Sequence, residues 1–182
     1  MEHTGDPATA GEAARDDGGP VPSGLVRLTV LALIGGALTG LVGGLFRLAL
    51  AGAELLRTDV LEWAREAPAL RGVLPVVLAA GAAALARLIV RWDPDASGSG
   101  VQRVEAVVRG QLEPDRRLRL IPAKFVGGVL AIGSGMALGR EGPTVQMGAS
   151  IGQEIARVSR LSAQDRRSLT ASLGGAGLGV AF

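Results

Sequence analysis

Apolar residues in this chain fall into long runs separated by short polar stretches, without the strict alternation of a half-buried strand. The first run, residues 25–53, carries no charge except Arg27 and Arg47 near its two ends. About 20 apolar residues cross a bilayer, so this run predicts a transmembrane helix whose arginines snorkel to the interfaces. Within it Gly36, Gly40 and Gly44 recur every four residues, predicting a small-residue face packed tightly on another helix. Residues 54–66 read as a short polar connection. A second run, residues 72–90, has Pro75 near its start, where a first helical turn tolerates it. Residues 93–100 have turn chemistry, 101–109 form a short amphipathic piece, and a charged stretch leads to Arg119.

A third apolar run, residues 120–139, is interrupted by Lys124 and followed by two shorter pieces, 143–155 and 169–182. Each of these two is too short, or too rich in glycine, for an ordinary span. Broken helices at membrane depth are tolerated where protein buries them or where they line a wet cavity. Transporters place substrate sites where such discontinuous helices meet. The pattern predicts an all-α membrane protein of about six helical pieces, some of them broken. Residues 1–24 differ: Glu2, Asp6, Glu12, Asp16 and Asp17 face a single Arg15 among Gly, Pro and Ala. They predict a disordered tail ahead of a membrane domain at 25–182, and their acidity excludes a secretory signal.

Composition sharpens the class. Forty-eight per cent of residues are hydrophobic, 28 are glycine and none is tyrosine, with a mean hydropathy of +0.35. Small side chains let membrane helices approach closely, whereas they make a weak core in water. With no cysteine there are no disulfides and no thiolate metal sites. Net charge is +2, and the basic residues are arginines except Lys124. They lie scattered among apolar runs without interleaved aromatics, which excludes a nucleic-acid partner. Arg109, Arg116, Arg117 and Arg119 place their loop on the cytoplasmic side. The single histidine, His3, falls in the tail, and no metal-ligand or Ser–His–Asp constellation is present. Gly133-Ser134-Gly135 with Gly139 loosely echoes a dinucleotide loop, but that motif needs a βαβ unit. The reading is therefore not an enzyme, with no organic cofactor or metal.

Two loops carry candidate chemistry. Gly98-Ser99-Gly100 has glycines that allow sharp turning, a serine hydroxyl, and a helix beginning at Val101. The unpaired N–H groups of such a helix end suit an anion; a plain Ser/Gly turn capping the helix is the alternative. In the second loop, Gly139-Arg140-Glu141-Gly142-Pro143-Thr144, Pro143 fits the first helical position. Glu141 then lies just outside a helix N-terminus between apolar segments, where an ionisable residue costs about 2.5–3.5 kcal/mol and rarely persists without a role. A simple Arg140–Glu141 surface pair is the alternative.

Together the loops resemble the CLC family of voltage-gated chloride channels and chloride/proton antiporters. Gly98-Ser99-Gly100-Val101 with Glu105 is similar to the family's GSGIP region, with Gln102 departing from the usual proline. Gly139-Arg140-Glu141-Gly142-Pro143 matches its GREGP motif in full. Residues 124–128 before it, 144–152 after it and 173–182 at the end resemble the flanking helices. The resemblance runs over residues 25–182.

It implies a CLC-type broken-helix bundle, the first of two inverted repeats and incomplete, in a bacterial plasma membrane. Glu141 would be the gating glutamate, its carboxylate competing with chloride for one electropositive pocket. Ser99, with the backbone at Gly100 and Val101, would hold the central chloride. Backbone N–H groups at Gly142, Thr144 and Val145 would form the outer site, and Arg140 and Lys124 would supply supporting positive charge. Glu105 would be structural or interfacial. The implied substrates are chloride and, for an antiporter, protons, with membrane lipid as surroundings. The resemblance places a tyrosine ligand, an internal proton-transfer glutamate and the dimer-interface helices in a second half. It therefore implies a missing C-terminal half as partner and a homodimer only for the full-length protein. The other reading is a truncated, non-conducting or partner-dependent half.

Overall fold

The computed structural model describes residues 23–66, 72–113 and 118–182, and among them there are six α-helices, one 3-10 turn and no strand. The helices are α1 (Ser23–Arg65), α2 (Leu74–Trp92), α3 (Val101–Val108), α4 (Leu120–Gly133), α5 (Glu141–Val158) and α6 (Ala163–Ala181), with the 3-10 turn at Pro94–Ala96 between α2 and α3. The expected tail lies outside the described residues, except that α1 already begins at Ser23.

α1 is longer than its apolar run. The polar connection expected at 54–66 is helical, so α1 is one helix of 43 residues. No Gly or Pro lies between Ala53 and Glu66 to stop it, and Glu54 pairs loosely with Arg57 one turn on, at 3.8 Å. Its length, about 64 Å at 1.5 Å per residue, exceeds the thickness of a bilayer. α4 stops six residues short of the third apolar run, because Gly135 takes φ +95° just after it. α6 begins six residues before the last apolar piece. There the Ser162 Oγ accepts the Asp165 N–H at 3.1 Å and caps the helix.

α5 and α6 form the centre. Residues 142–149 of α5 are all buried, and Ile151, Ala156, Leu169 and Leu173 join in one core packed against by Leu28, Leu31 and Val42 of α1. The two helices approach backbone to backbone. A Cβ on Gly148 would collide with the Leu173 carbonyl oxygen and lie 2.9 Å from the Thr39 methyl, and one on Gly177 would collide with the Thr144 carbonyl. Phe46, fully buried on α1, meets Phe125 of α4 edge-on at 5.4 Å.

The packing face of α1 corrects the expected one. Gly36, Gly40 and Gly44 have nothing within 4 Å of a would-be Cβ, whereas Gly35 is pressed by Leu173 and Gly43 by Val180. The buried stripe is Gly35–Thr39–Gly43, one residue along. Both stripes have the same period of four, and in a chain this glycine-rich the spacing alone fits either. The other faces of α1 and α2 are bare. Leu33, Leu41, Leu48, Val76, Val77 and Leu88 are exposed, and α2 has no buried residue. Both helices are long and apolar enough to cross a membrane, yet their most apolar windows are only 11% and 0% buried, unlike core helices of a soluble protein.

This packing predicts a contrast between two glycines on neighbouring elements. Gly148→Ala overpacks the junction of α1, α5 and α6 and should cost about 1–3 kcal/mol. Gly36→Ala meets open space and should be neutral or stabilising by up to about 1 kcal/mol. Thermal unfolding in detergent would show this as a lowered midpoint for the first variant only; equal losses would contradict the α5–α6 contact.

Candidate anion site

The loop after α2 is anchored before it reaches Ser99. Asp93, fully buried, caps the 3-10 turn by accepting the Asp95 N–H at 3.2 Å and pairs with Arg119 at 3.5 Å. The Arg119 guanidinium also lies 5.9 Å over the Trp92 ring. Asp95 pairs with Arg103 of α3 at 2.9 Å, and its carbonyl accepts the Gln146 side-chain N–H of α5 at 2.9 Å. Gly98 and Gly100 take φ +65° and +77°, the left-handed conformations that the two-glycine loop implied. A side chain at Gly100 would also strike the Gln146 amide, so this glycine answers both a backbone and a packing demand.

Lys124 staples the loop from the other side. Its Nζ, in a residue only 4% exposed, donates to the carbonyls of Ala96 at 3.0 Å and Gly98 at 2.5 Å. Two of its three N–H donors are thus used, and the charge stays within the protein. Ser99 donates its hydroxyl to Gln102 Oε1 at 3.0 Å and accepts a long contact from the Val101 N–H at 3.4 Å. The hydroxyl expected to face an anion is engaged by the residue that replaces the usual proline.

The second loop arrives from α4. α5 begins at Glu141, two residues before the expected start at Pro143, so Glu141 is the first helical residue and not outside the helix. Glu141 and Gly142 open it with no side-chain cap, and their N–H groups belong to the unpaired set at a helix start. Gly142 touches Ser99 directly: a Cβ there would lie 2.7 Å from the Ser99 carbonyl oxygen and 2.9 Å from its Cβ. The Glu141 carboxylate folds over Gly139, and no ion pair joins it to Arg140, which removes the surface-pair reading. The Thr144 N–H is not free for an anion. It donates to the Arg140 carbonyl at 3.3 Å, and its hydroxyl turns to the Arg140 and Glu141 carbonyls at 3.2 and 2.9 Å. Val145 packs against Val104 and Ala149.

Between the loops and α4 lies a cavity of about 390 Å³. Ser99, Lys124, Gly139 and Pro143 line it with apolar residues of α2 and α4, and Lys124 carries the only charge among its described lining residues. Gly100, Val101, Glu141, Gly142, Thr144 and Val145 are not among the residues that line it, and Arg140 lines a different cleft. Gln146 was missed by the sequence reading, although an amide within an apolar run is a signal, because it must find a partner when buried. Glu105 pairs on the surface with Arg109 at 2.6 Å. Gly133-Ser134-Gly135 ends α4, and no strand precedes it among the described residues.

Discontinuous helices meeting at a cavity walled by a buried lysine, between exposed apolar helices, define a helical membrane protein. Residues 81–182 match the family model described as voltage gated chloride channel. The chain belongs to this family, whose members are integral membrane proteins. It is 42% identical over 160 residues to the H+/Cl− exchange transporter ClcA of Vibrio parahaemolyticus, covering 84% of this chain and 33% of that one. The ClcA of Salmonella arizonae is 38% identical over 157 residues, covering 85% and 33%. A solved structure, the X-ray crystal structure of a slow cyanobacterial Cl−/H+ antiporter, superposes with a TM-score of 0.75 at 36% identity, over 86% of this chain and 37% of that one. The chain spans about a third of the length of the curated relatives it matches.

The staple can be tested alone. Hydrogen bonds from a charged donor contribute about 1.5–3 kcal/mol, so Lys124→Met should raise amide exchange at residues 97–100 by about tenfold or more. Exchange in α6 should stay unchanged. No rise in the loop would show that Lys124 does not hold it.

Proposed function

We propose that these residues form part of a chloride pathway across a bacterial plasma membrane, with Glu141 as its gate. The observation that carries this reading is the direct contact of Gly142 with Ser99 beside the Lys124 cavity. A serine hydroxyl, a buried ammonium and an uncapped helix start meet there, and each favours an anion of small size. The names of the relatives supply the ion pair, chloride and protons. Chloride would displace Gln102 from the Ser99 hydroxyl and rest between it and the α5 start. The Glu141 carboxylate, one residue from the Gly142 contact, would compete for the same positive potential when charged and yield when protonated. Ser99, Gly100 and Val101 would serve the central position and the N–H groups of Glu141 and Gly142 the outer one. Thr144 and Val145 fit the outer position less well, because the Thr144 N–H is taken. No cofactor or metal enters this reading, and the relatives' names describe transporters.

The alternative reading is that these residues conduct only together with further protein. It is consistent with the bare apolar faces of α1 and α2 and with a coverage of about a third of the relatives. In this reading the remaining two-thirds completes the ion path, and any homodimer belongs to the completed protein in lipid.

Chloride efflux from proteoliposomes tests both readings. The chain should be reconstituted alone and together with the remaining two-thirds of the Vibrio parahaemolyticus relative. Chloride flux in at least one preparation is expected, changing with pH. Glu141→Gln has no carboxylate to titrate, so its flux should lose that pH dependence. Silence in both preparations would overturn the chloride reading, and an unchanged pH profile in Glu141→Gln would overturn the gate. Flux only in the combined preparation selects the alternative.

A further inference from the structure

Ser99 stands in the wall of the cavity of about 390 Å³, and its hydroxyl carries one proton. That proton goes to the Gln102 side-chain oxygen at 3.0 Å, and Gln102 is not among the residues that line the cavity. The hydroxyl oxygen meanwhile accepts the long contact from the Val101 N–H at 3.4 Å. In this arrangement Ser99 has no donor to offer the cavity. An anion needs a donor, and it can take the Ser99 proton only when Gln102 gives it up.

Gln102 is held within reach. It is the second residue of α3, three positions after Ser99, and helical side chains lean back toward the N-terminus of their helix. The turn that carries it is fixed on several sides. Val104 packs with Val145 and Ala149 of α5, and Arg103 pairs with Asp95 at 2.9 Å. Gly100, at φ +77°, lies against the Gln146 amide. The Gln102 side chain itself is exposed, so its release leaves no buried amide without a partner.

We infer that Gln102 is a tethered competitor for the anion at Ser99, setting the affinity of this position for small inorganic anions but not its preference among them. The inference rests on the proposed chloride position at Ser99. The observed dissociation constant is then the intrinsic one divided by the fraction of Ser99 hydroxyls that are free. This penalty is the same whichever anion arrives. The net strength of one such hydrogen bond corresponds to about two- to tenfold in an equilibrium. The plainer reading is a local bond that stabilises the first turn of α3, as side chains three apart do at helix starts. The two readings differ in sign: losing a competitor tightens anion binding, whereas losing a brace loosens the site.

Calorimetric titration with chloride and with bromide, in nanodiscs prepared free of halide, separates them. It is run on the chain alone and on the chain combined with the remaining two-thirds of the Vibrio parahaemolyticus relative. Gln102→Ala and Gln102→Pro should each bind both anions about two- to tenfold more tightly than the unaltered chain, with the ratio of chloride to bromide affinity unchanged. Proline is tolerated in a first helical turn, so either replacement suffices if the other fails to fold. Gln102→Glu, whose carboxylate is the stronger acceptor and repels an anion, should weaken binding about tenfold or more. In a Ser99→Ala background there is no hydroxyl to contest, and adding Gln102→Ala should change affinity less than about twofold. Unchanged or weaker binding in a folded Gln102→Ala or Gln102→Pro protein overturns the competitor and leaves the Ser99 position standing. A shifted ratio of chloride to bromide affinity, or a gain that survives Ser99→Ala, overturns it too. No binding in any form of either preparation overturns the Ser99 position itself, and the competitor with it.

Discussion

A Cβ on Gly142 would come within 2.7 Å of the Ser99 carbonyl, so the Ser99 loop and the start of α5 can touch only through a glycine. That contact sets the distance between a hydroxyl and an uncapped helix end, and the rest of the structure holds it. Glycines at 148 and 177 let α6 lie against the α5 backbone, which buries α5 from its first turn. With α5 fixed in protein, its N-terminal N–H groups point to a constant place rather than fraying into solvent. An apolar substitute for any of these glycines would separate backbones, and the helix end would withdraw from Ser99.

The loop that meets α5 is held by charges and amides rather than by apolar packing. Asp93 with Arg119, Asp95 with Arg103, Gln146 with the Asp95 carbonyl and Lys124 with two carbonyls tie eight residues of irregular chain to α3, α4 and α5. Irregular backbone inside a membrane protein needs such partners, because lipid offers none. Lys124 therefore has two consequences in one place. It satisfies carbonyls that would otherwise be orphaned, and it leaves a positive charge in the wall of the cavity.

Much of this was readable from residues. The turn at 93–100, the glycine conformations at 98 and 100, and a helix start beside Pro143 follow from local chemistry. The five-residue motif there carries the family resemblance, although α5 begins two residues before Pro143 and takes in Glu141. What escaped was set by tertiary partners. A period of four glycines cannot say which of two adjacent stripes on α1 meets α6, and Leu173 and Val180 chose 35 and 43. The polar end of α1 has no breaker, yet charge alone suggested a connection. The start of α6 was announced by Ser162 three residues before Asp165, a cap that the search for apolar runs passed over. Lys124 was read as background charge because its two carbonyl acceptors lie 26 and 28 residues away. Gln102 drew notice as a departure, but its grip on the Ser99 hydroxyl depends on the loop's curvature.

The central claim is that an anion rests between Ser99 and the α5 start, and bromide in crystals of the chain tests it most directly. Anomalous scattering should place a bromide within hydrogen-bond reach of the Ser99 hydroxyl, with Gln102 turned away from it. Bromide confined to the outer surface, with the Ser99–Gln102 bond intact at saturating salt, would contradict the account.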